Sequence, residues 1–192
     1  MARRTSRAIS KGSTARTDLV LRGRPVDVAY RVPDVQPSAA GPWRAEADKI
    51  AWTDPDSAYP CIIRRERNGG HLAYYVGLPR AHPLYGWNAK AIPASLIDVP
   101  GGLDHSAPCD QNGPEDRSIC HVPANAAHDD DLWWLGTRCN RITDLVPDDK
   151  EHAARAQQLG IAQRYRDVSE LFTRCTELAS DLKKLDHEED RR

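Results

Sequence analysis

The chain is poor in several things, and each shortage excludes something. It holds one Phe and one Met, so Trp and Tyr supply nearly all its large aromatic surface, and their polar tips need partners when buried. No apolar run approaches the ~20 residues that a membrane-spanning helix requires, which excludes a membrane partner. The N-terminus is positively charged but carries no apolar segment of the kind a secretory signal has. GxxxxGKS/T, GxGxxG and HExxH are all missing, which removes the common nucleotide-binding and metalloprotease signatures. There is no CxxC pair and no HxxxH. Without export, the five cysteines, an odd number, read as thiols or metal ligands rather than a disulfide framework. The expectation is a soluble, cytoplasmic protein.

What is present divides the 192 residues into three parts. The net charge of −1 argues against a globally basic nucleic-acid binder, but the charge is unevenly spread. Arg3, Arg4, Arg7, Lys11, Arg16, Arg22 and Arg24 face only Asp18 in the first 24 residues. Residues 1–41, rich in Ser, Thr and Arg and then in Pro, are expected to form a flexible basic arm, because they bury too little apolar area to offset the entropy of ordering. Within the arm, residues 26–32 alternate well enough to dock on a sheet edge. The arm offers phosphate contacts to a nucleic acid, a reading not favoured because no aromatic is interleaved for base stacking.

Residues 42–146 read as a β-rich core domain. Lys49-Ile50-Ala51-Trp52-Thr53 predicts a strand closed by the turn Asp54-Pro55-Asp56-Ser57. Residues 61–67 and 71–78 flank Asn68-Gly69-Gly70, the pattern of a hairpin whose loop needs positive φ. Leu72, Tyr74 and Val76 share one face of it and point to the core. His71 falls on the other face and is expected at the surface. Residues 79–95 predict a loop, since Pro79, Pro83 and Pro93 each remove a donor. Residues 95–99 predict a further strand, and Leu132 to Cys139 a central one.

Residues 147–192 are expected to be helical with an acidic tail. Ile161, Tyr165, Val168, Phe172, Cys175, Ala179 and Leu182 recur by steps of four and three, which makes an apolar face wider than a coiled-coil seam. That face packs on the domain or on a second copy, giving a homodimer. Asp148 with Glu151 has the spacing of a helix cap, and Gly160 that of a break. The architecture expected is α+β: a small, mainly antiparallel sheet with a long C-terminal amphipathic helix.

The chemistry concentrates between Gly101 and Asp144. Cys109, Cys120, His121 and Cys139, with His105, are donors of the kind zinc prefers, although their spacing matches no common zinc motif. His121, Cys139 and Asp144 are the candidate catalytic groups for a small hydrolase-like enzyme. Trp133, Trp134 and Tyr85 beside Arg138 and Arg141 suit a small anionic ligand, because guanidinium groups bond it bidentately and stack with rings.

The segments YPCIIRRERNGGHLAYYVGLPRAHPLYG, GGLDH, ICHVP, DLWWLGTRCNRITD and YRDVSELFTRCTELASDL carry a resemblance. Between residue 43 and about 185 the chain resembles a family of uncharacterised small proteins common in tailed-phage and prophage genomes, whose pattern runs YPC, GHLCGYVGVPxGHPxYG, HGGLT, ICH, WWFGFDCAHxxD and YRDxxYVxxEC. Cys61, His71, His82, Cys120, His121, Trp133, Trp134, Cys139 and Asp144 match it. Pro100 stands where the pattern has the first histidine of HGGLT, Arg141 where DCAH ends in another, and Ala73 where it has cysteine. The resemblance implies a phage or prophage origin more than a reaction. With those two histidines missing, the expectation favours an accessory protein that binds a small anionic molecule or a host protein, ahead of an enzyme or a module that dimerises through its helix.

Overall fold

The computed structural model describes residues 8–110, 113–121 and 131–189, with side chains as far as Asp186. In chain order the strands are β1 (Thr14–Arg16), β2 (Val20–Leu21), β3 (Arg24–Pro25), β4 (Val28–Arg31), β5 (Lys49–Thr53), β6 (Pro60–Arg65), β7 (Leu72–Leu78), β8 (His105–Pro108) and β9 (Trp133–Arg138). Two helices follow, α1 (Lys150–Gln158) and α2 (Val168–Glu189). Seven strands form one sheet in the order β1-β4-β5-β6-β7-β9-β8, and β2 and β3 pair separately. Every pairing is antiparallel, so the protein is α+β as its pattern predicts.

The N-terminal segment corrects one expectation. From residue 8 onward it is built into the domain rather than left as an arm. β1 pairs with β4, and β4 with β5, while Val26, Tyr30 and Val32 are buried. The alternation at residues 26–32 outweighs the polar composition around it. Residues 1–7, which carry three of the arginines of the basic arm, lie outside the described residues.

A second correction concerns residues 95–99, which form turns instead of a strand. The Leu96 amide donates to Pro93 and the Val99 amide to Ile97, so the backbone groups a ladder needs are used locally between Pro93 and Pro100. Ile97 and Val99 still enter the core. The C-terminal helix starts at Val168, later than its apolar stripe suggests. Gly160 at φ 66° ends the preceding segment, and the Asp167 carboxylate accepts from the Glu170 amide (2.8 Å) as the cap. For α1 the capping residue is Asp149, one position beyond the expected Asp148.

The sheet buries both faces. On the first, Ile50, Trp52, Cys61, Ile63, Leu72, Tyr74, Val76 and Leu135 meet Leu171, Phe172, Cys175, Leu178, Ala179 and Leu182 of α2. The apolar stripe of α2 is therefore covered within the chain, which removes it as a surface for a second copy. On the second face, Ala51, Ile62, Ala73, Tyr75 and Trp134 lie under Cys109, Ile119 and Cys120.

One ionic network ties these parts together. The Arg65 side chain, with no solvent exposure, donates to Asp48 (2.8 Å), Glu46 (3.1 Å), the Gly70 carbonyl (2.9 Å) and the Tyr165 hydroxyl (3.0 Å). Glu46 also accepts from the Val168 amide (3.0 Å) at the start of α2, and Asp48 accepts from the Val32 amide (2.8 Å). Removing one member of such a buried set leaves the others as uncompensated charges. Arg65→Ala is therefore expected to lower unfolding free energy by about 3–5 kcal/mol, read from urea unfolding followed by circular dichroism.

The cysteines bring a third correction. Cys109 and Cys120 are joined in a disulfide with Cα atoms 5.0 Å apart, whereas Cys61, Cys139 and Cys175 are free and buried. The reading of all five as thiols or metal ligands fails for this pair, because the β8 end and the loop after it fold back to bring two thiols face to face. A cross-link of that loop length restricts the unfolded chain by about 2–3 kcal/mol. Replacing Cys120 with Ser is expected to destabilise the protein by that amount, and reductant is expected to lower the melting temperature of the unaltered protein but not of the variant.

Candidate functional site

The ladder register shows what the second sheet face presents, rung by rung. Gly77, Trp134 and Ala107 align at one end, then Ala51, Ile62, Tyr75, Gly136 and His105, then Lys49, Arg64, Ala73 and Arg138. Beyond them the hairpin places Glu66 opposite His71, whose carbonyl accepts from the Glu66 amide (2.8 Å). The face is thus apolar at one end and ionic at the other. Gly136 makes room for this: a Cβ there would lie 2.3 Å from both the Tyr74 carbonyl oxygen and the Tyr75 ring.

At the ionic end Glu66 accepts from Arg64 (2.7 Å) and the Tyr75 hydroxyl (2.9 Å). Burial pushes this carboxyl up, yet Arg64 and Tyr75 outweigh it and hold it below the usual carboxylate range. The His105 ring stands edge-on to Tyr75, with centroids 5.0 Å apart. Asp104 meets Arg138 (3.3 Å) and Arg141 (3.7 Å). His71 is 6 % exposed, not the surface residue its position at the strand start predicts. The reason is that Gly69 and Gly70 turn the chain at positive φ under Val146 and Pro37, the atoms nearest their Cβ positions.

Five buried polar atoms around Arg138 have no hydrogen-bond partner among the described residues: both ring nitrogens of His71, Nε2 of His105, Oδ1 of Asp104 and Nε of Arg141. Buried polar groups are otherwise nearly always paired, so their gathering marks a polar site. Two cavities adjoin it. One, of about 610 Å³, is lined by Glu66, Asn68, His71, Arg138, Asn140 and His152 among others. The other, of about 300 Å³, is lined by Arg138, Arg141, Arg166 and Arg174 with Tyr74, Cys139 and Asp144. Arg138 belongs to both.

The expected catalytic set is not assembled. His121 donates through Nε2 to Asp27 (3.0 Å) and lies 3.9 Å from Glu115, fastening the disulfide loop to the segment before β4. Asp144 is occupied by Arg166 (2.7 Å) and by the Arg141 amide (2.9 Å). Cys139 is held up at about 12, first by burial and then by Asp144, so it is a thiol at neutral pH and a poor nucleophile. The expected zinc set fails too, since two of its four ligands are spent in the disulfide. No group of three His, Cys, Asp or Glu side chains placed to hold a metal occurs among the described residues.

The expected ligand-binding residues divide. Trp134 is fully buried on the second face. Trp133 donates to the Ser106 hydroxyl (3.1 Å) and stacks at a tilt near Tyr85, with centroids 5.8 Å apart. Tyr85 in turn donates to Asp131 (3.1 Å). Arg138 and Arg141 stand together without those rings. Sequence reasoning missed Glu66 and the role of His71; the alternation through the hairpin, which sets Arg64, Glu66 and His71 on one face, is the signal for them. Comparison with protein-family models, curated proteins and solved structures gives no match.

The histidines differ electrically. Burial lowers His71 and His105, with Arg138 pressing on the first and Arg64 on the second. At His121 burial is outweighed by Asp27 and Glu115, which raise it. In a proton NMR titration, the imidazole midpoints of His71 and His105 are expected below about 6.5 and that of His121 above it. The folded chain binds the His71 proton less readily than the unfolded one. Its contribution is therefore expected to cost stability as pH falls from about 6.5 toward its folded midpoint, and His71→Leu to flatten that limb.

Proposed function

We propose that this chain is an accessory protein of phage or prophage type that binds a small anionic molecule at Arg138 and Arg141. One observation carries the reading. The two arginines are about half exposed, at 46 % and 40 % of their side chains, and line the 300 Å³ cavity beside Arg166 and Arg174. Arg166 is held by Asp144 (2.7 Å) and Glu170 (3.0 Å) and Arg174 by Glu170 (2.9 Å), which fixes both guanidinium groups in the wall. Arg141 donates to the Gly102 carbonyl (3.2 Å) and stands 3.7 Å from Asp104, and its buried Nε has no partner among the described residues. A guanidinium so placed accepts a carboxylate or phosphate through two parallel bonds.

Zinc and nucleophilic catalysis form no part of this proposal. Among the described residues no helix is long and apolar enough to cross a membrane. In a cytoplasmic setting the Cys109–Cys120 bond meets reducing thiols, so the cover of the second face there follows the local redox state.

Titration calorimetry with inorganic pyrophosphate tests the reading. Saturable binding is expected to weaken roughly tenfold or more in Arg141→Ala and in Arg138→Ala, the loss of one charge-assisted bond of about 1.5–3 kcal/mol. Tyr85→Ala, on the other aromatic group, is expected to bind as the unaltered protein does. Binding indifferent to both arginines would sink the assignment.

A further inference from the structure

The larger cavity has a chemistry of its own. At about 610 Å³ it lies within the range of small-molecule sites. Among the described residues its wall carries one apolar side chain, Val146, and no Trp, Tyr or Phe. It therefore has no platform on which a nucleobase or other planar ring would stack. What it has instead are hydrogen-bonding groups of both kinds: the carboxylates of Glu66, Asp148, Asp149 and Glu151 accept, Arg138 and Lys150 donate, and the carboxamides of Asn68 and Asn140 and the imidazoles of His71 and His152 do both. His152 is already engaged with the Asp144 carbonyl (3.0 Å). His71 is not engaged at all. It is buried to 94 %, since only 6 % remains exposed, and both of its ring nitrogens lack a partner.

A neutral imidazole offers one N–H and one lone pair. A hydroxyl matches either, and a polyol chain matches several such groups in succession. Arg138 lines this cavity and the arginine-lined one alike, so a charged group bound on Arg138 lies at the border of both. From this juxtaposition we infer that the ligand is a sugar phosphate, with the phosphoryl group held by Arg138 and Arg141 and the hydroxylated body held by His71, Asn68 and Asn140. The inference rests on the proposed anion site and names the class of molecule it takes.

The test compares glucose 6-phosphate and ribose 5-phosphate with inorganic phosphate and with free glucose, by titration calorimetry on the full chain. At least one sugar phosphate is expected to bind tenfold or more tightly than inorganic phosphate, and glucose to bind weakly if at all. His71→Leu is expected to erase that advantage while leaving inorganic phosphate binding unchanged. Arg141→Ala is expected to weaken both. Because His71 has no protein partner, its replacement by Leu orphans no other group, and an unchanged far-ultraviolet circular dichroism spectrum checks the fold. A measurement on the unaltered protein stands beside it: saturation transferred by NMR should reach the sugar ring protons.

Failure separates cleanly. If neither sugar phosphate exceeds inorganic phosphate, or if the advantage survives His71→Leu, the sugar assignment falls and the anion site stands. If no phosphate binds, both fall.

Discussion

A guanidinium shut away from water sits where three parts of the chain meet. Arg65 leaves the end of β6 and reaches two carboxylates, a hairpin carbonyl and a tyrosine hydroxyl. Its partners come from the 46–48 segment, from the turn at Gly70 and from the residues before α2. Desolvating an arginine is costly, and it is tolerable here because four of its five N–H groups find an oxygen. Glu46 does double duty, since its second oxygen receives the first amide of α2. The first turn of the helix is thereby tied to the same network. With α2 fixed across β6 and β7, the first face of the sheet closes.

Closure of one face leaves the other to specialise. Its apolar rungs lie beneath the disulfide loop, where Lys49 donates to the Cys120 carbonyl (3.0 Å) and Asp116 accepts from Ser10 (2.8 Å) and Ser13 (2.7 Å). Its ionic rungs run out past the loop to Glu66, His71 and Arg138. The gradient follows from period-two alternation on β6, where Ile62, Arg64 and Glu66 succeed one another toward the hairpin. The polar site is thus the unclosed end of a core, supported by the same strands that make the core rigid. That is a good foundation for a binding site, because strands hold side chains more firmly than loops do.

How much of this could be read from residues varies with the range of the forces involved. The hairpin, the 49–53 strand, the Trp133 strand and the C-terminal helix are written in local pattern, and all four are present. The features that depend on distant partners were illegible. Nothing near Cys109 announces that the chain returns to it at Cys120, because the intervening residues carry no strand or helix pattern. The N-terminal segment looks too polar to fold, yet Tyr30 and Val32 are few residues in the right places. His71 reads as exposed by position yet is buried, beside a turn whose Gly69 and Gly70 lie against Val146 and Pro37. The arginine pair was legible as chemistry, but its separation from the tryptophans was not: β9 sends Trp134 into the second-face core, while Arg138 closes its other end and Arg141 follows three residues later.

The order of the sheet has one more consequence. Its outermost strands are β1, with three residues, and β8, with four, the last of them Pro108. The long, strongly apolar β7 lies inside, hydrogen-bonded along both sides. An exposed strand margin is a template on which another chain can lay down a further strand, and natural proteins blunt it by shortening the strand or by setting proline in it. Both margins here are blunted in length, and one carries a proline that offers no amide to a newcomer. The fold thus guards its most aggregation-prone sequence by position.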